Sequence, residues 1–428
     1  MTDDRSGDTV VVTGLGAVTP LGATAKDTWS ALLAGRGAVA ALDEPWAAEL
    51  PVRIAARAAA EPGELLDRVL ARRVDRVGAF GLAAVREAWA DAGHTGPAGT
   101  PGAPDPERVA VVLGTGIGGV HTVVHNHEEL RTRGARRVSP HAVAMLMGNH
   151  TAALAALEVN ARAQASAPAT ACAAGADAIA TALDLIRLGR ADVVVAGGAD
   201  SGVHPLVAAA FASMRALSGR HDEPHRASRP FDRDRDGFVL GEGAGVLVLE
   251  SERHARARGA HPYAVLAGAG LASEAHHPTG PRPDGGGPVA ALRRALADAR
   301  LDPAAVRHVQ AHATSTPAGD AAEAAALRTV FGPDAVPVSA IKSMTGHLLG
   351  AAGGLAAVAA VLSLSDGVVP PTLNLEHPEE GLGLDVVRDT PRELPAGPAA
   401  VLCNASGFGG HNVSLAFTRL THLTRLTR

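Results

Sequence analysis

The chain has 428 residues, 46% of them apolar and 19% charged, and a net charge of −5. That length accommodates two to three domains and a sizeable core, and the composition excludes a mainly disordered protein. The acidic balance argues against a broad basic nucleic-acid footprint, and two cysteines, Cys172 and Cys403, are too few for a disulfide scaffold and fit a reducing cytoplasm.

Met1 to Asp8 is polar and acidic, without the apolar region of a signal peptide. Short β-branched runs ending in glycine then alternate with Ala/Leu-rich helical stretches. Val10 to Gly14, Val109 to Leu113, Asp192 to Val195 and Gly245 to Glu250 read as strands, and Asp75 to Ala92 and Ala174 to Leu188 as helices. Continuous valine runs argue for strands buried on both faces, and the alternation argues for α/β layers. The second half repeats the style. Strands are expected at Tyr263 to Gly268, Val306 to Ala311, Val338 to Ile341 and Ala399 to Cys403. Helices are expected at Pro288 to Arg300, Asp320 to Thr329 and Gly350 to Leu364. Gly/Pro-rich linkers fall at Gly93 to Pro106 and Thr279 to Gly287, and a domain boundary is placed within Arg256 to Pro262. The most apolar helical run, Gly353 to Leu364, is short for a membrane span, which needs about 20 residues. The basic tail, Thr421 to Arg428, is expected to fray. The halves share a weak likeness: Thr170-Ala171-Cys172 and Ser343 to His347 each lead from a strand into a small-residue helix.

Four residues stand out chemically. Cys172 sits among small residues where a helix starts, a position that favours a thiolate and offers free backbone N–H groups to an oxyanion. The plainer reading of such a cysteine is a small buried apolar residue. His312 directly follows the strand Val306 to Ala311, and His347 precedes a helix. With 19 histidines in the chain, either alone could be structural. Lys342 is one of only two lysines and follows an apolar strand, where an amine needs a partner or a shifted pKa. The Gly114 to Gly119 run (GTGIGG) and Gly14-Leu15-Gly16 lack dinucleotide-binding spacing, and no Walker A lysine pattern occurs. His276-His277 and the pair His125 and His127 read as polar loop rather than metal ligands. Thiol, two imidazoles and an ammonium together suggest acyl chemistry on cysteine.

Six motifs in order then carry a resemblance over about Thr9 to Phe417. They are VVVTGLGAVTPLG from Val10, the Cys172 segment, PFDRDRDGFVLGEGAGVLVLE from Pro230, AHATSTPAGD from Ala311, SAIKSMTGHLLGAAGG from Ser339 and GFGGHN from Gly407. The chain resembles the elongating type II β-ketoacyl-[acyl carrier protein] synthases of fatty-acid synthesis and their polyketide relatives. The resemblance implies a thiolase fold, with two similar βαβαβαββ halves layered α-β-α-β-α. Residues 1–258 would form the half with the nucleophile and residues 259–428 the half with the two histidines and the lysine. It implies decarboxylative condensation of an acyl–Cys172 thioester with malonyl-acyl carrier protein, assisted by His312, His347 and Lys342. Neither metal nor cofactor is implied; phosphopantetheine enters on the carrier protein.

The resemblance further implies an oxyanion hole from the backbone of Cys172 and Phe408. Phe408, Ser406, Ile117 and Phe211 would form the gate and acyl pocket. Thr314, Thr316 and Thr279 would contact phosphopantetheine, and Arg72, Arg73 and Arg215 would dock an acidic carrier protein. Glu323 and Asp320 would support the site from behind. The implied assembly is a homodimer, or a heterodimer with a second ketosynthase-like subunit, in the cytoplasm, without nucleic acid or membrane. Two departures stand out. Ser406 replaces the first Phe of the usual Asn-Ser-Phe-Gly-Phe-Gly-Gly run, as in polyketide ketosynthase subunits. Ala356 stands where many relatives carry a Glu that pairs with the lysine, so Lys342 is expected to find another anion, Glu323 being the candidate. Both point to a paralogue serving a secondary-metabolite pathway. The rivals are a thiolase, a non-elongating chain-length-factor-like subunit and a drug-insensitive copy of the housekeeping synthase.

Overall fold

Valine-rich runs that alternate between two buried faces build an eleven-stranded sheet in the computed structural model, which describes residues 9–420. The segments Met1 to Asp8 and Thr421 to Arg428 lie outside the described residues. In the strand Val109–Gly114, Val109, Val111 and Leu113 enter one core while Ala110 and Val112 enter another. Val193 and Val195 split from Val194 and Ala196 in the same way, as the two-residue period of a strand requires.

The sheet consists of two wings of the same design. In the first, Val10–Val18 pairs antiparallel with Glu242–Ser251, which pairs antiparallel with Val193–Ser201; Val109–Gly114 and Gln164–Ser166 follow in parallel. In the second, Ala264–Ser273 pairs antiparallel with His411–Thr418, which pairs antiparallel with Ala400–Gly407; Val306–Gln310 and Pro337–Ser339 follow in parallel. Over these five strands each wing runs first, fifth, fourth, second, third in chain order, with helices between its early strands, and the weak likeness between the halves is repeated architecture; the short strand Asp385–Val386, parallel to Pro337–Ser339, adds the eleventh strand at the edge of the second wing. Val10–Val12 pairs with Ala264–Leu266 and joins the wings.

Three cores separate five layers. The central core holds the helices Ala174–Arg187 and Ala352–Asp366 against the inner faces of both wings. The helices Arg76–Asp91 and His150–Val159 cover the first wing outside, and Gly286–Asp298 and Pro317–Phe331 cover the second. Close approach at the centre depends on glycine: a Cβ on Gly354 would lie 2.2 Å from the Gly245 carbonyl oxygen, and one on Gly198 2.4 Å from that of Gly350. Both central helices begin alike. Single turns, Ala171–Ala173 and Leu349–Ala351, precede them, and the first residue of each turn is left-handed, Ala171 at φ 51° and Leu349 at φ 49°.

Several expectations shift. The strand at Val338 is shorter, Pro337–Ser339, because residues 340 and 341 turn into the helical turn Lys342–Thr345. The strand at Ala399 is longer, Ala400–Gly407, because its polar end pairs with His411 and Asn412 in a hairpin. The apolar helical run is also longer than read. Leu349–Asp366 spans 18 residues, enough by length and composition to cross a membrane, yet 83% of it is buried in the fold. His125 and His127 stand on the helix Val120–Arg133 rather than in a loop, and two residues apart they do not face each other. Cys403 is fully buried in the central core.

Candidate active site

The site forms where strands of both wings end. The elbow Ala171–Ala173 presents Cys172, partly exposed, at the foot of the helix Ala174–Arg187. The hairpin turn of the second wing presses on this elbow: a Cβ on Gly407 would lie 2.5 Å from the Thr170 carbonyl and 3.2 Å from the Cys172 nitrogen. Phe408 follows directly. His312 leaves the end of the strand Val306–Gln310, and His347 lies between the turn Lys342–Thr345 and the turn Leu349–Ala351.

A cavity of about 380 Å³ brings these groups together. Cys172, His312, His347, Phe408, Ser406 and Phe211 line it, and so do Thr314, Thr316, Thr279, Glu323 and Arg215. The imidazoles of His312 and His347 meet edge to face at 5.5 Å. Phe238 extends this aromatic wall, 5.4 Å from His347 and 5.2 Å from Phe211, and Phe211 lies 6.3 Å from Phe408. Sequence reading missed Phe238; within Asp236-Gly237-Phe238 nothing distinguishes it from an ordinary core aromatic. Ile117 packs in the apolar cluster that touches Cys172 and Phe211 but does not line the cavity. Arg72 and Arg73 are exposed and lie outside the cavity lining, whereas Arg215 stands at its edge with φ 55°.

The electrostatics favour neutral imidazoles. Burial and the Lys342 ammonium hold both His312 and His347 well below the usual histidine range. A neutral imidazole donates a hydrogen bond to a carbonyl without surrendering a full proton. Burial, then the Asp200 carboxylate, pushes the Cys172 thiol up to about 12, while Lys342 and a backbone N–H pull it down. The helix start therefore does not make a resting thiolate, contrary to the expectation from its position; desolvation outweighs it.

Lys342 is buried, and its Nζ donates to the carbonyl oxygen of His312. Among the described residues no carboxylate lies within ion-pair distance of it, so the expected pairing with Glu323 is not a contact. Ala356, where the resemblance leads one to expect a glutamate, is buried in the central apolar core. Glu323 serves differently. Its carboxylate accepts from the backbone N–H of His312 at 2.9 Å and of Ala313 at 2.7 Å, and from Asn404 Nδ2 at 3.2 Å. It remains the leading charge that favours the protonated Lys342. Asp320 accepts from the backbone N–H of Ser315 at 3.0 Å and of Phe231 at 2.9 Å. Ser315 is left-handed at φ 74°, so Asp320 pins the strained turn that carries Thr314 and Thr316, whose hydroxyls lie 3.0 Å apart. Ser406 Oγ donates to Asn412 Oδ1 at 2.7 Å, and Asn412 Nδ2 donates to Glu274 at 3.2 Å, so Ser406 gives the cavity a polar rim.

Comparisons with known proteins agree along the chain. The family profile described as beta-ketoacyl synthase, N-terminal domain, matches residues 7–255, and that of the C-terminal domain matches residues 263–376. The 3-oxoacyl-[acyl-carrier-protein] synthase 2 of Vibrio cholerae is 41% identical over 415 residues, covering 96% of this chain and 99% of that protein. Among solved structures, the ishigamide ketosynthase/chain length factor is 32% identical with a TM-score of 0.87, covering 97% of this chain and 100% of that one. The AntDE:AntF complex, a type II polyketide acyl carrier protein with its ketosynthase bound to the hexaketide, matches at 30% identity and a TM-score of 0.87, covering 96% and 100%.

Proposed function

The chain belongs to the beta-ketoacyl synthase family, and from that premise we propose how its cavity works. The enzyme condenses an acyl thioester with malonyl-acyl carrier protein, releases CO₂ and yields a 3-oxoacyl-acyl carrier protein. The observation that carries this reading is the meeting of one thiol and two neutral imidazoles on a single cavity.

Cys172 sulfur attacks the acyl thioester carbon, the carrier thiol leaves with the proton, and the acyl group stays on Cys172. Backbone N–H groups of Cys172 and Phe408 hold the oxyanion; such preorganised donors contribute about 3–4 kcal/mol each. Malonyl-acyl carrier protein then enters past Thr279, Thr314 and Thr316, which bind its phosphopantetheine arm. N–H groups of His312 and His347 point at the malonyl thioester oxygen. As the bond to CO₂ breaks, its electron pair moves into the enolate those donors stabilise. The enolate carbon attacks the acyl carbonyl, and Cys172 leaves as a thiolate. Lys342 fixes His312 through its carbonyl and keeps both imidazoles neutral by its charge. Phe211, Phe408, Ser406 and Ile117 shape the acyl side, Arg215 with Arg72 and Arg73 receives the carrier protein, and Asp320 and Glu323 hold the loops.

Residues 1–258 and 259–428 act as the two halves, one bringing the thiol and the other the imidazoles. A second copy or a ketosynthase-like subunit completes the assembly, in the cytoplasm. Ser406 and Ala356 support the reading of a specialised pathway, with polyketide elongation ahead of a drug-insensitive housekeeping copy. Retention of Cys172 on the cavity speaks against a non-elongating subunit, and burial of Cys403 speaks against a thiolase. The test is mass spectrometry of carrier-protein products from a short acyl-acyl carrier protein and malonyl-acyl carrier protein. A 3-oxoacyl product two carbons longer, absent with Cys172→Ala, is expected. Equal product from Cys172→Ala would refute the reading.

A further inference from the structure

The strand Val193–Ser201 ends in a carboxylate that no sequence motif singles out. Asp200 is fully buried and accepts four hydrogen bonds. Its Oδ1 takes Thr115 Oγ1 at 2.8 Å and the Ile117 N–H at 3.2 Å; its Oδ2 takes the Gly116 N–H at 2.7 Å and the Gly350 N–H at 2.6 Å. Among the described residues no cation lies within ion-pair distance of it. A buried charge without a cation is costly, and four donors offset that cost only in part. Burial still pushes Asp200 up to about 6.

The position of these donors gives the carboxylate a use. Oδ2 alone bridges the two wings. Gly116 belongs to the loop after Val109–Gly114, and Gly350 belongs to the turn Leu349–Ala351, three residues beyond His347. Space for this bridge exists because both partners are glycine: a Cβ on Gly350 would lie 2.6 Å from Oδ2 and 2.4 Å from the Gly116 nitrogen. The same turn rests on the Cys172 helix, since a Cβ on Gly175 would lie 2.7 Å from the Gly350 carbonyl. The turn itself is strained at Leu349 and needs an external hold.

Resting on the proposed role of His347, we propose that Asp200 is a positioning residue for condensation, its Oδ2 bridge fixing the His347 turn against the Cys172 elbow across the two halves. Its charge reaches the nucleophile as well. It opposes ionisation of Cys172, whereas Lys342 favours it, and the two neutral imidazoles add no charge.

Two readouts on the full-length protein test this: decarboxylation of malonyl-acyl carrier protein, and the rate of Cys172 alkylation by iodoacetamide from pH 6 to 9. Asp200→Asn places an amide against backbone N–H groups and removes the charge. Decarboxylation should fall about tenfold or more, as a misplacement of order 1 Å predicts, while alkylation at pH 8 rises several-fold because a like charge is gone. General damage lowers both rates, so opposite movement marks the assignment. Asp200→Glu keeps the charge but lengthens the arm. Its alkylation profile should match that of the parent while decarboxylation falls, which supplies a test should the Asn variant not fold. Unchanged decarboxylation in either variant, or both rates falling together in a folded Asn variant, overturns the assignment. His347→Ala is the control for the underlying reading. Parent-level decarboxylation by that variant refutes the role of His347 itself, and the alkylation arm, which needs no turnover, still reads Asp200 directly.

Discussion

Replacing Glu323 with Gln keeps the shape of the side chain but removes its charge and one acceptor. Its carboxylate now takes three donors, the N–H groups of His312 and Ala313 and the amide of Asn404. A glutamine must turn its NH₂ toward at least one of them, so one bond is lost and the others weaken. Hydrogen bonds to a charged group contribute about 1.5–3 kcal/mol against about 1 for neutral ones. The total cost is then roughly 3–5 kcal/mol. Unfolding entropy near 2.1 cal/mol/K per residue gives about 0.9 kcal/mol/K for 428 residues, so Tm should fall by roughly 3–5 °C. The chemical effect is selective. Glu323 holds the backbone of His312 and touches no part of the Cys172 elbow. Single-turnover acyl loading should therefore stay within about twofold of the parent, while malonyl decarboxylation drops by about 10²-fold, as a shift of order 1 Å at a catalytic group costs. Calorimetry and a quench-flow assay of both half-reactions provide the check. An unchanged Tm with unchanged decarboxylation, or equal loss in both half-reactions, would refute this account of Glu323.

Two further predictions follow from the cavity and the core. Ser406→Phe should shorten the preferred acyl chain by two carbons, because the ring enters the rim that Ser406 and Asn412 now share. Each excluded methylene is worth about 0.8 kcal/mol, so kcat/KM for the longest substrate falls about tenfold; an unchanged chain-length profile refutes it. His308 is fully buried, with Nε2 2.7 Å from Ser339 Oγ, and burial holds it at about 3. The unfolded chain binds that proton below about 6.5 while the native state does not, so the stability His308 contributes at neutral pH is lost as pH falls from 6.5 toward 3. At pH 5 the loss is about 2 kcal/mol. The Tm advantage of the parent over His308→Asn should therefore narrow between pH 7 and pH 5, and a constant gap would contradict it.

Much of this was legible in the sequence because it is local. Valine runs at two-residue period gave the wing strands, and Cys172, His312 and His347 each sit at a strand end or helix start. The rest depends on contacts between distant residues. Asp200 is one polar residue at the end of a valine strand, and its Gly350 partner lies 150 residues away. Lys342 stands out by scarcity, but its bond to a backbone carbonyl carries no sequence signature. The resting state of the Cys172 thiol is not legible from its position at a helix start, because the desolvation that outweighs that position arises only in the packed site.

The twin turns that open the two central helices explain why such a chain has a single nucleophile. Ala171–Ala173 and Leu349–Ala351 have the same shape, and Gly350 occupies in one the place Cys172 occupies in the other. The vacant counterpart cannot be armed by mutation: any side chain at 350 would collide with Asp200 and the Gly116 nitrogen. A duplicated scaffold has thus spent its two equivalent corners on different tasks, one for reactivity and one for a junction. Recombining halves between related enzymes should accordingly succeed only when one parent supplies the carboxylate at 200 and the other the glycine at 350.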